Sequence, residues 1–81
     1  MPAGRLTLYS RDGCGLCEDM AAALARLRAR ASFELEIVDI DADPALQARY
    51  AGAIPVLAAG EREICRYHLD TVAVLAVLSA S

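Results

Sequence analysis

Cys14 and Cys17, in the run Cys14-Gly15-Leu16-Cys17, are the residues best placed to do chemistry in this chain. At this spacing two thiols lie on one helical turn and can face one another, which suits thiol–disulfide exchange. If Cys14 caps the helix, its sulfur stands where a capping oxygen would and can accept from the backbone N–H of Cys17 or Leu16. A thiolate gains from such donors, and each unit of lowered pKa corresponds to roughly 1.4 kcal/mol. Cys17, inside the first turn, is expected to be the less exposed thiol. The work then divides, with Cys14 attacking and Cys17 resolving the mixed disulfide. Gly13 and Gly15 flank the attacking sulfur without side chains, which leaves room for a bulky disulfide. Nearby charges oppose one another, because Arg11 can lower the Cys14 pKa while Asp12, Glu18 and Asp19 can raise it.

The same spacing serves other ends. Zinc normally takes four ligands, and the remaining candidates are Cys65 and His68. A metal or iron–sulfur group held through Cys14 is therefore one alternative. A non-enzymatic protein-interaction module, with incidental thiols at a helix start, is another. Cys65 reads as a small core hydrophobe and His68 as a surface residue. Tyr9 and Tyr67 read first as packing residues that can also edge the cleft, and Arg49 reads as part of a solvated helix face, with contact to a substrate carboxylate as the alternative.

The elements that must position the pair follow from the pattern. Arg5 to Tyr9 reads as a strand and Ser10 to Gly13 as a turn. Apolar Leu16, Met20, Leu24 and Leu27 recur at helical spacing between Cys14 and Ala31, which predicts an amphipathic helix. Phe33 to Ile40 alternates as a second strand, with Phe33, Leu35 and Ile37 on one face. Asp43-Pro44 opens a short helix running to about Tyr50, with Asp at the cap and Pro in the first turn. A third strand spans Ile54 to Ala58, Ala59-Gly60 turns the chain, and a fourth strand spans Glu61 to Cys65. Asp70 caps a last helix to about Ser79, with Leu69 packing against Val74. The order is β-α-β-α-β-β-α. A helix joining the first two strands implies that they are parallel, the tight link between the last two implies a hairpin, and the helices must cover both faces of the sheet.

Composition bounds the rest. Eighty-one residues form a single domain, 1–81, and 57% apolar residues argue for a packed core. Much of that apolar count is alanine, so the core is expected to be thin. The formal charge is −3, and all eight basic residues are arginines interspersed with acids, which argues against nucleic acid as a partner. Three cysteines are too few, and odd in number, for a disulfide-stapled secreted scaffold. No signal-peptide pattern precedes the first strand, and the apolar run Thr71 to Leu78 is too short to span a bilayer. A cytoplasmic protein that does not engage membranes is the expectation.

With Ile54-Pro55 at the head of the third strand, the cysteine pair after the first strand resembles the thioredoxin fold in its small, glutaredoxin-sized form. The segments Leu8 to Cys17, Val38-Asp39-Ile40-Asp41 and Ile54-Pro55-Val56-Leu57 look most similar to small bacterial glutaredoxin-like proteins. The resemblance implies an α/β thioredoxin-like fold, β-α-β-α-β-β-α, with a four-stranded mixed sheet flanked by helices. It implies a thiol–disulfide oxidoreductase with a dithiol mechanism at Cys14 and Cys17. It further implies a cis Pro55 against the dithiol, an Ile54 backbone that pairs with the substrate, and Arg11, Gly15 and Leu16 around the bound thiol. No cofactor or metal is implied, and the partners are protein or small-molecule thiols and disulfides, met by a monomer. Three departures stand out. Gly15 and Leu16 replace the family's proline and aromatic residue, and Ile64-Cys65-Arg66-Tyr67-His68 lacks the glycine pair that helps hold glutathione. Dithiol chemistry thus carries over better than glutathione as co-substrate.

Overall fold

In a computed structural model, residues 4–79 are described. The strands are β1 (Arg5–Ser10), β2 (Glu34–Asp39), β3 (Val56–Ala59) and β4 (Arg62–Arg66). The helices are α1 (Gly15–Arg28), α2 (Pro44–Tyr50) and α3 (Thr71–Ser79), with a 3-10 turn at Ile40–Ala42 before α2. The four strands form one mixed sheet in the order β2-β1-β3-β4. β1 and β2 run parallel, with Leu6 opposite Leu35 and Leu8 opposite Ile37. β3 runs antiparallel to both β1 and β4. Gly60, with φ +61°, lies in the tight turn that pairs Ala59 with Arg62. A positive φ there is what a two-residue hairpin opening on glycine requires.

Strand alternation sorts the core onto two faces. Leu6, Leu8 and Leu57 point to one side, where α1 lays down Met20, Leu24 and Leu27 and α3 contributes Val74. These α1 residues recur every four or three positions, so one stripe of the helix meets the sheet. Tyr9 and Val56 point to the other side, against Ile40 and Tyr50. The opposed packing holds the ends of β1 and β3 rigidly from both sides, and the cysteine loop leaves the sheet there.

Sequence and structure part at several boundaries. α1 ends at Arg28 rather than Ala31, because Arg30 and Ala31 both donate to the Leu27 carbonyl (2.9 Å each) and close the helix. The early stop lets the chain turn back, burying Phe33 and bringing the Glu34 N–H to the Gly4 carbonyl (2.9 Å). β3 starts at Val56, two residues after Ile54, and β4 is shifted by one residue from the expected span. Ile37 is 56% exposed instead of buried, since it lies on edge strand β2 at the rim of a groove beside the start of α1. Among the described residues no helix is long and apolar enough to cross a membrane.

Candidate redox site

From β1 the chain passes through Arg11, Asp12 and Gly13. Gly13 has φ +77°, a conformation that glycine adopts without the Cβ clash other residues suffer. Cys14 follows with extended backbone (φ −95°, ψ 108°) and caps α1, its Sγ accepting the Cys17 N–H at 3.1 Å. The Cys14 carbonyl in turn accepts the Glu18 N–H at 3.1 Å. Cys14 and Cys17 are joined as a disulfide, with Cα atoms 5.2 Å apart. Burial separates the two sulfurs, because Cys17 is only 4% exposed while Cys14 is half-buried. A Cβ placed on Gly15 would meet nothing within 4 Å, and Leu16 is 38% exposed. The approach to the pair is thus open on the side of the residues between the cysteines.

β1 and β3 bring the second predicted segment to the same end of the sheet. Tyr9 pairs with Val56, so Pro55 lies one step beyond that pair, next to the point where the cysteine loop departs. The Ile54–Pro55 peptide is cis and Pro55 is buried. Sequence reasoning gave Tyr67 a packing role or a place at the edge of the cleft, and in the structure it fastens this segment. Its N–H donates to the Pro55 carbonyl at 2.8 Å, and its hydroxyl donates to the Gly52 carbonyl at 2.8 Å. Tyr67 does so from a left-handed backbone (φ 68°), which costs a non-glycine residue roughly 1–2 kcal/mol. Two hydrogen bonds of about 1 kcal/mol each are enough to offset that. The only available signal was the need for a tight turn between β4 and α3 in a stretch without glycine.

The Arg11 guanidinium is engaged by Asp41. Its Nε donates to both Asp41 carboxylate oxygens at 3.1 Å, and its Nη2 lies 2.9 Å from Asp41 Oδ1. Gln47 Nε2 adds a third donor at 3.1 Å, and the Asp41 N–H is held by Asp39 Oδ1 at 2.9 Å. The Arg11 and Gln47 hydrogen bonds hold the Asp41 carboxyl below its ordinary pKa. The guanidinium therefore ties the cysteine loop to the 3-10 turn and α2. Asp12, Glu18 and Asp19 are exposed, and no ion pair engages them among the described residues. A groove of about 390 Å³ runs beside Cys17, on the β2 side of β1, lined among others by Arg11, Asp12, Gly13, Glu18 and Ile37.

The third cysteine is not part of this site. Cys65 pairs with Leu57 across β3 and β4 and packs, half-buried, against the main core. Burial pushes its thiol pKa up, a shift that the Asp70 backbone hydrogen bond partly opposes. His68 is exposed, and among the described residues no group of three or more His, Cys, Asp or Glu could hold a metal ion. The four-ligand set Cys14, Cys17, Cys65 and His68 is therefore not assembled. On the opposite face of the sheet Tyr9 stacks on Tyr50, with ring centroids 4.5 Å apart, and Arg49 lies over the Tyr50 ring at 5.3 Å. Burial and the neighbouring Tyr50 raise the Tyr9 pKa.

Residues 5–79 match the model of a family described as a glutaredoxin-like domain (DUF836). The chain belongs to this family. Among solved structures, the glutaredoxin-like domain is similar to protein Ne2328 of Nitrosomonas europaea, at 40% identity and a TM-score of 0.82 over 95% of this chain and 92% of that one. An X. campestris protein is also 40% identical, with a TM-score of 0.70 over 94% and 97% of the two chains. The holo form of glutaredoxin C1 from a Populus tremula x tremuloides hybrid shares the fold at 19% identity and a TM-score of 0.64, over 98% of this chain and 87% of that one. The glutaredoxin-like domain thus has the thioredoxin-type β-α-β-α-β-β-α topology, with a cysteine pair at disulfide distance at the start of its first helix.

Proposed function

We propose that this glutaredoxin-like domain is a thiol–disulfide oxidoreductase that works by a dithiol mechanism. In the reduced state the Cys17 N–H, now aimed at the Cys14 sulfur from 3.1 Å, donates a charge-assisted hydrogen bond to the Cys14 thiolate. That thiolate attacks one sulfur of a substrate disulfide. A Cys14–substrate disulfide forms, the substrate S–S bond breaks, and the first substrate thiolate leaves. Cys17 then loses its proton to solvent and attacks the Cys14 sulfur, releasing the second substrate thiolate and closing the Cys14–Cys17 disulfide. The two protein thiols are oxidised by two electrons, and the substrate disulfide is reduced to two thiols.

The observation that carries this reading is the unequal setting of the two sulfurs. The helix-capping cysteine is the more exposed of the two, and its partner is 4% exposed within the first turn. Substrate main chain docks along Ile54-Pro55, and Leu16 offers an apolar contact beside Cys14. The domain acts as a monomer in the cytoplasm on protein or small-molecule disulfides, with glutathione as a secondary candidate.

Single-turnover reduction of hydroxyethyl disulfide tests the reading. Reduced protein, freed of reductant, is expected to release two mercaptoethanol molecules per chain while its mass falls by two hydrogens. A reaction that stops at a mixed disulfide, or one no faster than the modification of Cys65, would contradict it.

A further inference from the structure

The charges around the dithiol do not balance, and the imbalance selects among substrates. Resting on the oxidoreductase reading, we infer that the site is built for disulfides that carry positive charge beside the reacting sulfur. The groove beside Cys17 has one cation on its wall, Arg11, and Asp41 engages that guanidinium through both carboxylate oxygens. Asp12 and Glu18 line the same groove as exposed carboxylates without an ion-pair partner among the described residues. Asp19 adds a third exposed carboxylate on the same turn of α1, and Asp39 a fourth behind Asp41. Among the described residues, Arg66 at this end of β4 is engaged by Glu63 at 2.7 Å. Arg49 stacks over Tyr50 on the other side of the sheet, and Arg28 lies over Phe33 at the far end of α1.

Asp12 lies two residues before Cys14, and Glu18 sits one helical turn after it with its N–H on the Cys14 carbonyl (3.1 Å), so a substrate sulfur at Cys14 brings its neighbouring groups near both carboxylates. An ammonium or guanidinium placed there meets two unpaired carboxylates, whereas a carboxylate is repelled by both. In water each such pair at ~8 Å changes a rate about twofold, so two act together to give roughly three- to tenfold. The exposed Ile37 side chain forms the apolar wall of the groove. The fitting protein partner is therefore a cysteine flanked by basic and apolar residues.

The test compares three small disulfides in single-turnover reduction: cystamine (a dication), hydroxyethyl disulfide (neutral) and 3,3′-dithiodipropionate (a dianion). The wild type is set against the double substitution Asp12→Asn with Glu18→Gln. Leaving-group reactivity is the same for both proteins and cancels when their cystamine-to-dithiodipropionate rate ratios are compared. That ratio is expected to fall about tenfold or more in the double variant, because the gain for the dication and the loss for the dianion multiply. It is also expected to shrink in the wild type when salt is raised to about 0.5 M. The salt series stands by itself should the variant fail to fold. A ratio unchanged by both substitution and salt would overturn the charge inference. Should hydroxyethyl disulfide itself go unreduced, the oxidoreductase reading falls, and the charge inference with it.

Discussion

Replacing Cys14 with serine is expected to lower the rate of hydroxyethyl disulfide reduction by at least about a hundredfold, to the level of background thiol exchange. Serine keeps the cap, because its hydroxyl accepts the Cys17 N–H that now bonds to sulfur. The fold is retained while the nucleophile is lost. The remaining thiols cannot substitute. Cys17 is 4% exposed inside α1, and Cys65 is half-buried in β4 with its pKa raised by desolvation. Cys17→Ser separates the two steps. The first attack proceeds, the resolving step does not, and the protein accumulates with mercaptoethanol bound at Cys14. Peptide mapping of the trapped adduct distinguishes this from modification at Cys65. Equal rates for wild type and Cys14→Ser would show that the helix-capping sulfur is not the nucleophile.

The largest expected effect on stability comes from Leu24→Ala. Leu24 is fully buried, on the stripe of α1 that carries Met20 and Leu27 onto the sheet. Removing such a side chain costs about 2–5 kcal/mol, the sum of lost transfer energy and the cavity left behind. A domain of this size has only about 4–12 kcal/mol in total. With a urea dependence of about 1 kcal/mol per molar for so small a chain, the unfolding midpoint should drop by at least ~2 M. The comparison that makes the result specific is Leu75→Ala on α3, which is 40% exposed and should cost less than about 1 kcal/mol. Chemical denaturation of the oxidised proteins, followed by circular dichroism, measures both. Because α1 bears the two cysteines, the same loss of packing loosens the frame that sets their separation.

What could be read from the sequence was mostly local. Each predicted cap lies within a few residues of the group it satisfies. Cys14 accepts from Cys17, the Asp43 side chain from Ala45 at 2.9 Å, and the Asp70 side chain from Ala73 at 3.0 Å. The helical stripe of α1 and the alternation of β1 are equally short-range, and the cysteine pair with Ile54-Pro55 pointed to the fold. What escaped depends on residues far apart in the chain. The Arg11–Asp41 clasp spans thirty residues and engages the one cation among the opposing charges near Cys14. Tyr67 holds the 52–55 segment from fifteen residues away at its hydroxyl, in a backbone conformation that a tyrosine does not advertise. Ile37 kept its place in the alternation of β2 but lost its cover, because a strand pattern does not say where the overlying helix begins. These three features decide what surrounds the dithiol, so its electrostatics were less legible than its chemistry.

The most direct measurement of the central claim is a redox titration of the wild-type protein against defined ratios of reduced and oxidised dithiothreitol, with thiols trapped by alkylation and counted by mass. The account predicts one two-electron transition in which Cys14 and Cys17 gain or lose their labels together while Cys65 does not change. A cysteine pair that stays labelled at every ratio, or a transition that involves Cys65, would contradict it.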